Sequence, residues 1–282
     1  MDVVKLKEWI GKTVESQDEI TAFPLKALAA TLDSPDRAPG RGDALPPLWH
    51  WLYFLPLHAR SELGADGHAN RGGFLPPVPL PRRMWAGSRL RFHDALCVGD
   101  AVCKTSRILD VNAKTGRTGT LAFVTVEHQY FGAAGLAITE EQDIVYREQA
   151  PPGAPSPEPV LAPNDEDWAR EIVADPVLLF RYSALTFNGH RIHYDRQYAA
   201  AIEQYPGLVV HGPLLATLLM ELLRANQPDR QVRSFSFKGV RPTLVGQRFH
   251  VCGKLNAGGD AVSLWIRQED GALAMTATAE LN

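Results

Sequence analysis

Cysteine is scarce in this sequence. The three residues Cys97, Cys103 and Cys252 are an odd number with no C-x-x-C spacing, which excludes a disulfide framework and the common cysteine zinc sites. No metal is expected, and a reducing compartment, the cytoplasm, fits best. No apolar run approaches the ~18 residues of a membrane-spanning helix. The stretch from Met1 to Glu19 scatters charges where a secretory signal would place an apolar core. A basic surplus is missing too. The 29 lysines and arginines face 32 aspartates and glutamates, for a net charge of −3, so the electrostatic footprint of a nucleic-acid binder is absent. Neither a membrane nor a nucleic acid is expected as a partner, and 45% hydrophobic residues suffice for a folded chain.

Proline, in contrast, is concentrated. Six of the fourteen residues from Ala150 to Pro163 are prolines. Lacking backbone donors, they predict an extended linker, with its bounds at 150–166. It separates residues 1–149 from residues 167–282, each near the usual size of a domain. The two parts repeat one another. Leu96-Cys97-Val98-Gly99-Asp100 finds its echo in Thr243-Leu244-Val245-Gly246-Gln247, each a turn that leads into an alternating, β-prone stretch. Gly135-Leu136-Ala137-Ile138-Thr139 matches the region from Gly271 to Thr276, and good strands lie between these landmarks at Leu121–Phe131 and Val262–Gln268. Ahead of the second set runs Gly212 to Arg224, apolar on nearly all faces and therefore predicted to be a buried helix. Pro47 to Phe54 is expected to take the same place in the first part. A buried helix followed by antiparallel strands predicts an α+β fold, a tandem hot-dog in which each sheet wraps a long helix.

The segment from Phe180 to Tyr198 (FRYSALTFNGHRIHYDRQY) collects two histidines, an asparagine, an aspartate and three arginines without a clear period, as functional loops do. His211-Gly212 follows and opens the buried helix. Together these residues resemble the MaoC-like, R-specific enoyl-CoA hydratase family. The wording YSALTFNGHRIHYD, with Asn70 to Gly87 in the first part, is similar to its double hot-dog branch, which contains hydroxyacyl-thioester dehydratase type 2, mesaconyl-CoA hydratase and itaconyl-CoA hydratase. The resemblance places the family's catalytic histidine on His193 and its helix opening on His211-Gly212. The family's catalytic aspartate falls on Asn188, a departure, and its asparagine-proline pair becomes His190-Arg191.

The resemblance implies hydration of an enoyl thioester, which develops negative charge on the thioester oxygen. The N-terminus of the Gly212 helix suits that charge, with Gly212 as the donor. His193 is the expected general base, because imidazole titrates near neutrality. Asn188 has no ionisable group and can only position the water, so more of the proton traffic falls on His193, with His190 as a second participant. Each residue also has a structural reading: Asn188 as a turn residue of Asn-Gly, Gly212 as a packing glycine, His211 as a helix-start residue and Asp195 as the N-cap of a following helix. Arg71, Arg82 and Arg83 would grip a distal carboxylate of the acyl group, or belong to a solvated basic loop. Lys238 and Arg241 are candidates for the coenzyme A phosphates.

The expected activity is hydration of a short branched dicarboxylic enoyl-CoA, of the itaconyl-CoA or 3-methylfumaryl-CoA type, with the first part catalytically silent. No separate cofactor is expected, since coenzyme A is part of the substrate, and pairing into a homodimer stays open. Dehydration of 3-hydroxyacyl thioesters on fatty-acyl intermediates is the alternative. Thioester hydrolysis is disfavoured by Asn188, and a non-catalytic acyl-CoA-binding protein is the reading from another class.

Overall fold

The computed structural model describes residues 1–34, 39–116, 119–149 and 158–282; of the expected linker, residues 150–157 lie outside the described ones. Ten strands form the sheet: β1 (Thr13–Glu19), β2 (Arg82–Phe92), β3 (Ala101–Gly116), β4 (Gly119–Gly132), β5 (Gly135–Arg147), β6 (Trp168–Val173), β7 (Val232–Gly239), β8 (Arg248–Leu255), β9 (Ala261–Gln268) and β10 (Leu273–Leu281). Their order is β1-β3-β4-β5-β2-β7-β10-β9-β8-β6, and every pairing is antiparallel. The order reads the same outward from the β2–β7 seam, where Gly87 to Arg91 pair with Lys238 to Ser234. The repeat seen in the sequence is thus a structural one, and the fold is a double hot-dog.

The repeated landmarks have a backbone cause. Gly99 and Gly246, ahead of β3 and β8, lie at φ +102° and +82°, a region glycine enters at no steric cost. Alternation then sets the faces. In β10, Ala277, Ala279 and Leu281 are buried while Thr276, Thr278 and Glu280 face outward.

The helices are α1 (Val3–Leu6), α2 (Ala22–Thr31), α3 (Pro176–Leu185), α4 (Arg196–Ala201) and α5 (Gly212–Asn226). Nine residues of α5 are buried, from Leu214 to Leu223 with only Glu221 partly outside. Each leucine contributes roughly 1.5–3 kcal/mol by leaving water. The core that contains α5 joins both parts of the chain. No helix among the described residues is long and apolar enough to cross a membrane.

Two expected features differ. Pro47 to Phe54 is not a second long helix but a single 3₁₀ turn, Trp49–Leu52, bounded by Leu48 and Phe54 at φ +72° and +55°. Its aromatic rings lose rotamer freedom in a helix and are used one by one: Trp49 Nε1 donates to Glu221 Oε1 (2.9 Å) and Trp51 Nε1 to Glu140 Oε2 (3.1 Å). The segment from Phe180 also begins inside a helix, α3. Asp175 caps it by accepting the Leu178 N–H at 2.7 Å, and Phe187 at φ +49° follows the helix end.

Candidate active site

After α3 the chain turns through Asn188 and Gly189 into a 3₁₀ turn, Arg191–His193, and then α4. Asp195 caps α4 by accepting the Tyr198 N–H (2.9 Å) and also takes the Arg191 guanidinium at 2.7 Å. Locked this way, the segment points His190 and His193 inward, both nearly fully buried. His193 Nδ1 donates to the Val209 carbonyl at 2.7 Å. That bond fixes the tautomer and leaves Nε2 as an acceptor. The His193 ring stacks on His211, with centroids 3.7 Å apart, and meets His190 edge-on at 5.5 Å. Burial and the neighbouring imidazoles of His211 and His190 hold the His193 pKa well below its ordinary value, so the ring is a neutral base at physiological pH. His211, the N-cap of α5, pairs through Nε2 with Ser183 Oγ at 2.8 Å. Burial lowers its pKa to about 3.

A cavity of about 2070 Å³ opens over this cluster and is lined from both parts of the chain. At its wall stands Gly212, where α5 begins. A methyl group there would meet only the Trp85 carbonyl, at 3.8 Å, so close approach is open to a ligand. Among the described residues the Gly212 N–H has no hydrogen-bond partner, and the positive end of α5 favours negative charge beside it.

The family model of hydroxyacyl-thioester dehydratase type 2 matches residues 48–245. The chain belongs to this family. It is 50% identical over 276 residues to a mesaconyl-C(4)-CoA hydratase of Chloroflexus aurantiacus, covering 97% of this chain and 96% of that protein. It is 28% identical to a mitochondrial hydroxyacyl-thioester dehydratase type 2 of Schizosaccharomyces pombe, over 84% of this chain and 88% of that one. A MaoC-like dehydratase from Phytophthora capsici shares the fold, with a TM-score of 0.69, 15% identity and coverage of 100% and 99% of the two chains. This hydroxyacyl-thioester dehydratase family member is therefore a hydro-lyase of double hot-dog architecture.

Asn188, His190, His193 and Gly212 all line the cavity. Asn188 Oδ1 accepts the His190 N–H at 2.9 Å, which shapes the turn. The arginines separate. Arg71 spends its guanidinium on the carbonyls of Val78, Leu80 and Pro81. Arg82 pairs with Glu203 at 2.9 Å and lies over the Tyr205 ring. Arg83 lines the cavity and, among the described residues, makes no ion pair. Arg241 also lines it, bonded at 2.6 Å to Asp270, whereas Lys238 is exposed on β7 outside the lining.

The sequence reading missed Asp66, His68 and Glu203. His68 comes from the first part of the chain, yet its ring lies 4.2 Å from that of His190, whose Nε2 faces Glu203 Oε1 at 3.8 Å. Asp66, His68 and His190 bring ligand-capable atoms within 4.8 Å of one another. However, Asp66 Oδ2 and His68 Nδ1 are already bonded at 3.0 Å, and Arg83 acts on both residues. They form a carboxylate–imidazole dyad. The signal was a glycine pair, Gly64 and Gly67, enclosing one acid and followed by one histidine. Without the partner loop nothing in it pointed to the site.

Proposed function

We propose that this hydro-lyase adds water across the double bond of a short branched dicarboxylic enoyl-CoA, 3-methylfumaryl-CoA (mesaconyl-C4-CoA) first among them. The observation that carries the reading is 50% identity to a mesaconyl-C(4)-CoA hydratase along nearly the whole chain. The geometry agrees with it. His193 activates the attacking water through Nε2, the Gly212 N–H at the positive end of α5 holds the enolate oxygen, and Asn188 keeps the turn that carries the histidines. Arg83 lines the cavity beside the histidine cluster and makes no ion pair among the described residues, so it takes the distal carboxylate of the acyl group. Coenzyme A enters as part of the substrate. A cytoplasmic location, supported by three free thiols, and a homodimer belong to the same proposal.

The test is loss of enoyl-thioester absorbance on 3-methylfumaryl-CoA, itaconyl-CoA, crotonyl-CoA and a long-chain enoyl-CoA. Wild type turns over a dicarboxylic member fastest, and His193→Ala lowers that kcat by about 10²–10⁴. Faster turnover of the long-chain member would replace the dicarboxylic reading with the fatty-acyl one. Binding of coenzyme A thioesters with no turnover of any member would overturn hydration.

A further inference from the structure

By the resemblance, the family's catalytic carboxylate falls on Asn188, whose amide cannot take a proton. The structure supplies another acid–base pair from the opposite part of the chain. Residues 62–70 form a tight loop, closed by Gly64 N–H to the His68 carbonyl (2.7 Å) and Asn70 N–H to the Glu62 carbonyl (2.8 Å). This loop is bound directly to the histidine segment. The Arg191 N–H donates to the Asp66 carbonyl at 3.0 Å and the Arg191 guanidinium to the Ala65 carbonyl at 3.1 Å. Gly67 sits so close to Gly189 that a methyl on Gly67 would stand 1.8 Å from the Gly189 carbonyl oxygen. The contact delivers His68 to the cavity wall beside His190.

We infer that His68, oriented by Asp66, is a catalytic base of the hydration, so that the active site is built from both parts of the chain. Asp66 acts through His68 and is a positioning residue. Its carboxylate binds Nδ1–H, which leaves Nε2 with a lone pair and with no hydrogen-bond partner among the described residues. His193 is in the same tautomer and lines the same cavity; in this assignment the two imidazoles share the attacking water, His193 holding one O–H and His68 taking the proton of the other. As the water oxygen bonds the β-carbon, the proton facing His68 passes to Nε2. The π electrons of the double bond move onto the thioester oxygen, opposite the Gly212 N–H. When the enolate collapses, the same proton leaves His68 for the α-carbon. One water is added, and both imidazoles end neutral. His68 is the better carrier of the transient charge, because a carboxylate backs it while His193 is backed by a carbonyl.

The groups facing His68 are Asp66 on its own loop, Arg83 at the start of β2 and His190, with Glu203 behind it. Burial lowers the His68 pKa to about 4; the hydrogen bond to Asp66 works against that, and Arg83 and His190 add to it. The inference rests on hydration and not on the acyl group, so it is tested on whichever thioester of the panel wild type turns over fastest. A failure of the dicarboxylic reading leaves the test in place. His68→Ala is expected to lower kcat about 100-fold with KM within about threefold, and free imidazole in the buffer restores part of the loss, because the vacated space opens on the cavity. Asp66→Asn lowers kcat about tenfold, leaves KM unchanged and moves the acid limb of the kcat–pH profile to lower pH. A His68→Ala kcat equal to wild type, or a loss that imidazole leaves untouched, overturns the inference, as does an Asp66→Asn profile with its acid limb unmoved.

Discussion

The two parts of the chain share one strand order but fill the space against the sheet in opposite ways. In the second, α5 presents Leu214, Leu215, Leu218, Leu219, Leu222 and Leu223 to the strands, an apolar centre. In the first, the long helix is replaced by one 3₁₀ turn, and a charged residue occupies the interior. Glu140 on β5 is fully buried. It accepts from Trp51 Nε1, Ser88 Oγ, Tyr130 Oη and Gln142 Nε2 at 2.9–3.2 Å, with His50 Nε2 at 3.5 Å. A duplicated fold can thus close its core either with leucines or with a satisfied carboxylate. The polar solution leaves the cavity polar groups such as Lys104, His128 and Gln142 on the first part's side.

Removing the polar centre is the largest stability effect expected. Glu140→Ala strands four donors, the buried Ser88 and Tyr130 hydroxyls and the half-buried Trp51 and Gln142 N–H groups, and costs about 3–5 kcal/mol, read from denaturant midpoints. Its pH signature is distinct. Burial pushes the Glu140 carboxyl up, but His50, His128 and the Trp51 N–H outweigh burial and hold it at about 2, against an ordinary 4.5. A depressed carboxyl contributes stability that is present above about pH 4.5 and is lost as pH falls towards 2. Wild type therefore loses this increment across that window, and Glu140→Gln does not. Breaking the apolar centre comes next. Leu219→Ala in α5 costs about 2–5 kcal/mol with no pH dependence of its own, so the two centres separate in a titration of stability.

Much of this contrast was legible in the sequence, and the illegible part has a physical cause. Helix α5 and the glycine turns before β3 and β8 are local features, and periodicity and backbone freedom reveal them. Asp195 as a cap and Gly212 as the helix opening were equally local. The 3₁₀ turn at Trp49–Leu52 was not, because its aromatic run is apolar enough for a helix, and only the partners of Trp49 and Trp51 decide otherwise. His68 was invisible for the same reason: it reaches the other histidines through a backbone contact between Gly67 and Gly189, 122 positions apart in the numbering. Arg71 and Arg82 looked like free cations in a basic loop until their carbonyl and carboxylate partners were in view.

That contact gives the third effect in size. In Gly67→Ala the new methyl has no room against the Gly189 carbonyl, and φ +87° disfavours any side chain. The clash is with backbone, so the loop must shift, at about 1–3 kcal/mol. Displacing His68 should lower kcat more than it lowers the unfolding midpoint. Gly207→Ala, outside the cavity lining and with nothing within 4 Å, is the control and leaves kcat unchanged.

The smallest effect tests whether burial, and not charge, makes Glu140 matter. Three residues along β5, Asp143 also carries a carboxylate below its usual range, where Arg89 outweighs the effect of burial. Arg89 grips it at 2.6 Å and holds Glu141 at 3.0 Å. These side chains are a third to a half exposed, so water competes for every bond and salt screens the attraction. Arg89→Ala should therefore cost about 0.2–1 kcal/mol at low salt and close to nothing at 1 M, where the Debye length is about 3 Å. The cost of Glu140→Ala should be nearly the same at both ionic strengths, because the carboxylate itself is fully buried. Equal salt dependence of the two variants would mean that water reaches Glu140 and that the first part of the chain is less closed than its geometry indicates.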